Sequence, residues 1–295
     1  MPIHPSPAVL RACDVLRYMA EDPTRSFTVS ELARAVAVPR ATCDAVLQAL
    51  AAQRFVARSS DDRRYELGPG SIALGEAARL ANPVLRAAKA AGEELARALD
   101  ACVAVSIRDG DTIRVAEVFD FAPLLARRVR VGQAIPLVPP FGAVFVAWDD
   151  DAERWIGTAD NEPERERYRM ALADVRRCGY SVGGSASRPS DLEAIESLAS
   201  PAAAAMARDR SKLLDELMHS RYLSADLDDR STVRVGQISA PVFGPDGKVS
   251  ASLLVPGPEH RITAAQLGEL AGRVREAALR ATGSAGGSPP DQAPR

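Results

Sequence analysis

The 295-residue chain predicts an α+β fold in two parts: a small helical head with a two-stranded wing, then a larger antiparallel sheet domain with helices. Three observations predict it. Two short amphipathic segments between residues 28 and 50 are broken at Pro39, which cannot continue a helix but opens one well. Immediately after them, an apolar run, a polar turn and a second apolar run read as strand, turn and strand. Beyond residue 82, apolar strand segments with Asp-Gly turns recur between amphipathic helices.

In chain order, Ala12, Val15, Leu16 and Met19 form a stripe on a helix of roughly residues 7 to 20, which supplies the first wall of a three-helix core. Thr28 caps the next helix, with Glu31 three residues on reaching back in a capping box, and Leu32 and Val36 share its inner face. After Pro39, Cys43, Val46, Leu47 and Leu50 recur at helical spacing and face inward. Arg40, Thr42, Asp44 and Gln48 therefore point outward, where the second helix of a helix-turn-helix meets base edges and phosphates. An αα-hairpin inside an unrelated helical domain has similar spacing. Phe55–Arg58 and Tyr65–Leu67 then flank the polar run 59–64. Arg58, Arg63 and Arg64 stand where a wing meets a DNA backbone; the same residues also suit a solvated hairpin tip.

Gly68-Pro69-Gly70 ends the wing, and a helix from residue 71 to 80 links the two parts, with Ile72, Leu74 and Leu80 as an apolar stripe. Gly68, Gly70 and Ala73 superficially match a dinucleotide fingerprint, but no strand-helix-strand unit surrounds them and no acidic residue follows at the required distance. The expected organisation is a winged head at 1–68, a linker helix at 69–82, a sheet domain at 83–282 and a disordered Gly/Ser/Pro tail at 283–295.

In the sheet domain, Pro83 to Leu99 is an amphipathic helix. Cys102–Ile107 and Thr112–Val118 are strands joined by a turn at Asp109-Gly110-Asp111, and Arg127 to Val131 adds a third. Gly142 and Ala143 open a further helix, whose free backbone amides suit a small anion. Gly236–Val242 and Val249–Val255 form a second hairpin around Pro245-Asp246-Gly247-Lys248. Thr263 caps a closing helix that runs to Ala281. About residues 183–231 intervene as a helical insert, with apolar faces at Leu192, Ile195, Leu198, Leu213, Leu214 and Leu217.

Composition narrows the function classes. Lys plus Arg total 37 against 39 Asp plus Glu, a formal charge of −2, so neither a nonspecific DNA coat nor a membrane-surface protein is indicated. Across residues 1–70, nine arginines, no lysine and eight acidic residues give only +1. A DNA reader this close to neutral relies on dimerisation for useful affinity. No apolar run approaches the length of a membrane span, and no leader is evident, so a cytoplasmic protein with no membrane partner is expected. Cys13, Cys43, Cys102 and Cys178 are scattered and expected to be reduced, with Cys13 and Cys43 packed in the head. His4, His219 and His260 lie far apart, and no His-x-x-x-His, Cys-x-x-Cys or Gly-x-Ser-x-Gly occurs; no catalytic residue, metal or cofactor is expected.

The run Leu10 to Met19, Pro39-Arg40-Ala41-Thr42 and Arg64-Tyr65-Glu66-Leu67-Gly68-Pro69 resembles the IclR family of bacterial transcriptional regulators, over nearly all of residues 7–282. The resemblance implies a winged helix-turn-helix that binds a double-stranded DNA operator, a linker helix that aids self-association as a homodimer or tetramer, and a GAF-like effector domain. It departs from the family at Ala41 and Ala45, where a serine and an arginine are usual, so recognition falls more heavily on Arg40, Thr42, Asp44 and Gln48. Asp44 there is repelled by phosphate and accepts usefully from a cytosine amine.

By the same resemblance, Gly142, Ala143, Gln237, Ser239, Leu254 and Pro256 line the effector pocket. Gln237-Ile238-Ser239 replaces Cys-Ile-Ala, and Leu254-Val255-Pro256 replaces Ser-x-Ser; two hydroxyls are thereby lost from the wall. That change suits a larger, more apolar or aromatic effector, and equally a vestigial pocket. Acidic ligand residues are not placed; Asp226, Asp228 and Asp229 qualify by composition alone. The function implied is a DNA-binding regulator modulated by a small molecule. The alternatives are a regulator acting through a protein partner or without ligand, and a small-molecule binding protein with a degenerate DNA head.

Overall fold

The structure, a computed structural model, describes residues 6–59, 63–121, 130–159, 161–184, 232–258 and 260–290. The chain divides into two compact units, Met1–Ala81 and Asn82–Arg295.

In the first unit, α1 (Pro7–Glu21), α2 (Val29–Ala35) and α3 (Arg40–Ala52) are followed by β1 (Val56–Arg58), β2 (Tyr65–Leu67) and α4 (Pro69–Ala81). Val15, Met19, Phe27, Leu32, Cys43, Leu47, Val56 and Tyr65 make one core. The expected stripe on the first helix is buried at Val15 and Met19. Cys43 is wholly buried and Cys13 half-buried. Thr28 and Glu31 form the capping box: Glu31 N–H donates to Thr28 Oγ1 at 3.2 Å and Thr28 N–H to Glu31 Oε2 at 2.7 Å. The break between α2 and α3 passes through Ala37 at φ 51°, a left-handed conformation that an alanine adopts at some cost. β1 and β2 pair antiparallel with Val56 opposite Leu67, and Phe27 bridges to Tyr65 through two backbone bonds of 2.8 and 2.7 Å. Helix α4 buries none of its residues; Ile72, Leu74 and Leu80 are all more than 60 % exposed.

The second unit is built on α5 (Pro83–Leu99), β3 (Cys102–Asp109), β4 (Thr112–Asp120), β5 (Ala134–Pro136), α6 (Ala143–Val146), α7 (Ala152–Ile156), α8 (Glu162–Cys178) and β6 (Ser181–Gly184). It continues with β7 (Thr232–Val233), β8 (Val235–Phe243), β9 (Val249–Pro256), β10 (Ile262–Thr263) and the closing helix α9 (Ala264–Ser284). Six strands form an antiparallel sheet in the order β5-β4-β3-β9-β8-β6. Alternation along the strands sorts the side chains by face. Val105, Val182, Ile238, Ala240, Val242, Leu253 and Val255 pack against α5 and α9. A second cluster forms where α6, α7 and α8 meet Ile113 and Leu137, with Trp155 edge-on to Tyr168.

The closing helix outruns its expected end. It continues to Ser284, Ala285 is buried, and Gly287 N–H donates to Thr282 O at 2.9 Å. Gly287 lies so close to Phe243 O that a Cβ would sit 2.2 Å from it. The segment expected to be a tail from 283 is therefore packed for its first residues, because Gly286 (φ 73°) and Gly287 let the chain turn back onto the β8 end. Most of the strand expected at 127–131, the helical insert expected at 183–231 beyond β6, and Asp226, Asp228 and Asp229 lie outside the described residues.

Candidate nucleic-acid interface and effector face

Helix α3 buries Cys43, Leu47 and Leu50. With about 3.6 residues per turn, its opposite side carries Ala41, Ala45, Gln48 and Ala52, all exposed. Arg40, Asp44 and Gln48 follow one another at intervals of four, so they line a single row along one flank, successive Cα atoms rising about 6 Å. Arg40 is exposed, and no side-chain partner is found for it among the described residues. Asp44 and Gln48 are joined: the Gln48 amide Nε2 donates to Asp44 Oδ2 at 2.8 Å. Thr42 lies half-buried on the other flank, apart from that row.

The three wing arginines do not form one surface. Arg58 stacks over the Tyr65 ring at 5.7 Å. Arg63 is exposed at φ 58°. Arg64 turns inward: its Nε and Nη2 donate to Ser26 O at 3.2 and 2.8 Å, and Nη2 reaches Glu31 Oε2 at 3.2 Å. Glu31 also receives Arg25 at 2.8 Å. Backbone and hydroxyl donors of Thr28, then Arg25 and Arg64, hold the Glu31 carboxyl at about 2, well below its usual value. Arg64 is thus a tie between wing and capping box, a role sequence spacing did not reveal because Ser26 and Arg64 are far apart in the chain.

In the second unit, the register brings together four of the residues expected to line an effector pocket. Gln237 pairs with Pro256 and Ser239 with Leu254, so all four lie on the face opposite α5 and α9. Two transverse rows complete that face. One runs Ser181, Ser239, Leu254, Ala104, Val118; the next runs Pro241, Ser252, Ser106, Val115. Ser106, Ser181, Ser239 and Ser252 are 2–8 % exposed, and none of the four hydroxyls bonds to another described residue. The hydroxyls absent at 254 and 256 are therefore matched by others at 106, 181 and 252. Sequence reading missed these three because only strand register shows that they share a face.

Gly142 and Ala143 sit at the start of α6, against Ile113 and Leu137. Gly142 has φ 86°, and a Cβ there would lie 2.3 Å from Leu137 Cδ1, so the position requires glycine. Helix α6 is a single turn of four residues, too short for the aligned dipole of a full anion-binding helix end. Near it, a cavity of about 160 Å³ is lined by Arg108, Asp111, Leu137, Asp151, Arg154 and Trp155. Its charges are spent on one another: Arg108 donates to Asp149 at 2.7 Å and to Asp151 at 2.6 Å, and Arg154 faces Asp111 at 3.4 Å.

A head with a buried core, an exposed side on α3 and a two-stranded wing is a winged helix-turn-helix, here followed in the chain by an antiparallel sheet domain. Residues 8–60 match the model of the IclR helix-turn-helix domain. Solved structures with the same fold include an IclR transcriptional regulator from Alicyclobacillus acidocaldarius, 22 % identical with TM-score 0.71, covering 96 % of this chain and 100 % of that one. A second, described as a putative IclR regulator from Silicibacter sp. TM1040, is 18 % identical with TM-score 0.69 and covers 98 % and 100 %. A third is an IclR homolog from Microbacterium hydrocarbonoxydans complexed with 4-hydroxybenzoate, 15 % identical with TM-score 0.63, covering 94 % and 98 %. No curated protein matches the chain. Over residues 8–60 the chain is similar to the IclR helix-turn-helix domain, and over nearly its whole length it shares the fold of solved structures described as IclR transcriptional regulators. Among the described residues no helix is long and apolar enough to cross a membrane.

Proposed function

We propose that this protein is a DNA-binding transcriptional regulator whose operator affinity responds to a small molecule held on the serine-bearing face of its sheet. The observation that carries the reading is the head: it matches the IclR helix-turn-helix model, and its α3 leaves Arg40 exposed and without a partner among the described residues. A guanidinium in that position reads guanine or clamps phosphate. Because the head is nearly neutral, two heads per operator are needed for useful affinity. The exposed Ile72, Leu74 and Leu80 of α4 support self-association through that helix. For the effector, hydroxyls at Ser106, Ser181, Ser239 and Ser252 alternate with Leu254, Val115 and Val118, a wall suited to an aromatic ligand carrying polar substituents. The relative that holds 4-hydroxybenzoate binds a ligand of that kind.

The test is a gel shift with DNA upstream of the protein's own gene, at low and physiological salt. Arg40→Ala is expected to weaken specific retardation by about 10- to 100-fold, the worth of one bidentate base contact. Equal affinity of variant and wild type would remove Arg40 from the interface. No retardation at either salt would remove DNA reading itself.

A further inference from the structure

The row Arg40, Asp44, Gln48 on α3 holds one cation, one carboxylate and one amide, spaced a turn apart. The carboxylate is the odd member on a surface that approaches a polyanion, where it raises the cost of every phosphate contact nearby. Two features give it a use. The Gln48 amide donates to Asp44 Oδ2 at 2.8 Å, which fixes the carboxylate and leaves Oδ1 as an oriented acceptor. On the outward side of the row, Ala41 and Ala45 are exposed and short, so nothing longer shields the pair from a base edge lying across the helix.

Resting on the reading that this head binds DNA, we propose that the Asp44–Gln48 pair is the specificity-determining element of α3 and reads the N4 amine of a cytosine in the major groove. A fixed carboxylate oxygen can only accept. Of the major-groove edges, guanine offers N7 and O6 and thymine offers O4, all acceptors that would face Asp44 with lone pair against lone pair. Adenine offers N6–H₂ beside N7, which an Asn or Gln matches with its own donor and acceptor; here one Gln48 hydrogen is already given to Asp44. Cytosine presents the N4 donor alone. Discrimination is thus partly repulsive: a wrong base leaves the carboxylate buried against an acceptor and unpaired. Arg40, one turn nearer the helix start, is complementary to a guanine close by, so the preferred half-site contains a guanine and a cytosine within a few base steps.

The experiment is selection of bound duplexes from a random pool by full-length protein, followed by titration of the selected duplex. Wild type should select a fixed cytosine in each half-site. Replacing that cytosine by 2-pyrimidinone, which lacks the N4 amine, should weaken binding about 5- to 100-fold, the range of one base contact. Asp44→Asn should lose the preference at that position while keeping the others, and Gln48→Ala should blunt it, since the carboxylate is then free to rotate. If Asp44→Asn selects the same sites and binds all duplexes more tightly by one common factor, Asp44 is only a repulsive charge and the proposal is overturned, with DNA reading intact. If wild type selects no sequence, the DNA-reading proposal falls and this one with it.

Discussion

The two faces of the six-stranded sheet are made by the same strands and differ in the side chains they carry. On one, Val105, Val182, Ile238, Ala240, Val242, Leu253 and Val255 are almost wholly buried against α5 and α9. One residue along each strand, the other face carries Ser106, Ser181, Ser239, Ser252 and Gln237 between apolar side chains. Serine and valine both suit the pleat sterically, so backbone preference does not require the difference. A closed apolar face supplies stability by area; a buried hydroxyl face costs desolvation unless something hydrogen-bonds to it. The contrast marks the α5/α9 face as the structural wall, and the proposed effector reading assigns the ligand to the serine face.

The largest effect that bears on this contrast is a truncation on the structural wall. Leu253 is fully buried, and Leu253→Ala is expected to lower unfolding free energy by about 2–5 kcal/mol, through lost transfer energy plus the cavity left behind. Urea denaturation followed by circular dichroism checks it. A loss below about 1 kcal/mol would mean that α5 and α9 collapse onto the gap and that the wall is less rigidly packed than its burial suggests.

A second contrast of the same kind lies in the wing, where neighbouring arginines have opposite roles. Arg64→Ala strips donors from Ser26 O and Glu31 and is expected to cost about 1–3 kcal/mol, whereas Arg63→Ala, at an exposed position, should leave stability unchanged. The thermal midpoints of the two variants measure the difference. The Glu31 carboxyl adds a pH signature. Its folded value of about 2 lies below its ordinary 4.5, so the charged form is favoured by folding. That stability is fully present above about pH 4.5 and is lost as pH falls from there toward 2. Glu31→Gln should flatten the head's stability in that window and lower it at neutral pH. If acid sensitivity between pH 4.5 and 2 persists undiminished in Glu31→Gln, other carboxylates carry it.

How much of this was legible in the sequence follows from the range of the interactions involved. Capping boxes, the Pro39 break, the 109–111 turn and the strand alternation are set by residues within a few positions of one another, and each appears where its local signal stands. The helix α8 carries such signals too: an Asn161 cap, acids at Glu162 and Glu164, and a glycine at 179 just past its end. Register was not legible. That Ser181 stands opposite Ser239, and Ser106 opposite Ser252, depends on pairing between segments far apart in the chain. The inward turn of Arg64 escaped for the same reason, since its partners Ser26 and Glu31 precede it by 38 and 33 residues. Helix periodicity gave the right buried side of α3, but Thr42 and Asp44, expected to point outward with Arg40 and Gln48, are half-buried on its two flanks, and it took the structure to show that Asp44 and Gln48 are bonded to each other.

The smallest effect is the most discriminating between the two faces. Ser252 is 2 % exposed and sits beside Ser106 in the register, with no hydroxyl partner among the described residues. Ser252→Ala removes a hydroxyl that finds no partner among the described residues, so it should change stability by less than about 1 kcal/mol and toward greater stability. A structural-wall residue such as Leu253, its chain neighbour, behaves in the opposite sense under truncation. If Ser252→Ala instead destabilises by about 2 kcal/mol or more, its hydroxyl is satisfied within the fold, and the serine face is as closed as the other. If stability holds while a thermal-shift response to hydroxylated aromatic acids, present in wild type, is lost in Ser252→Ala, the hydroxyl is reserved for a ligand. Two adjacent residues of one strand would then divide between them the two tasks of the sheet.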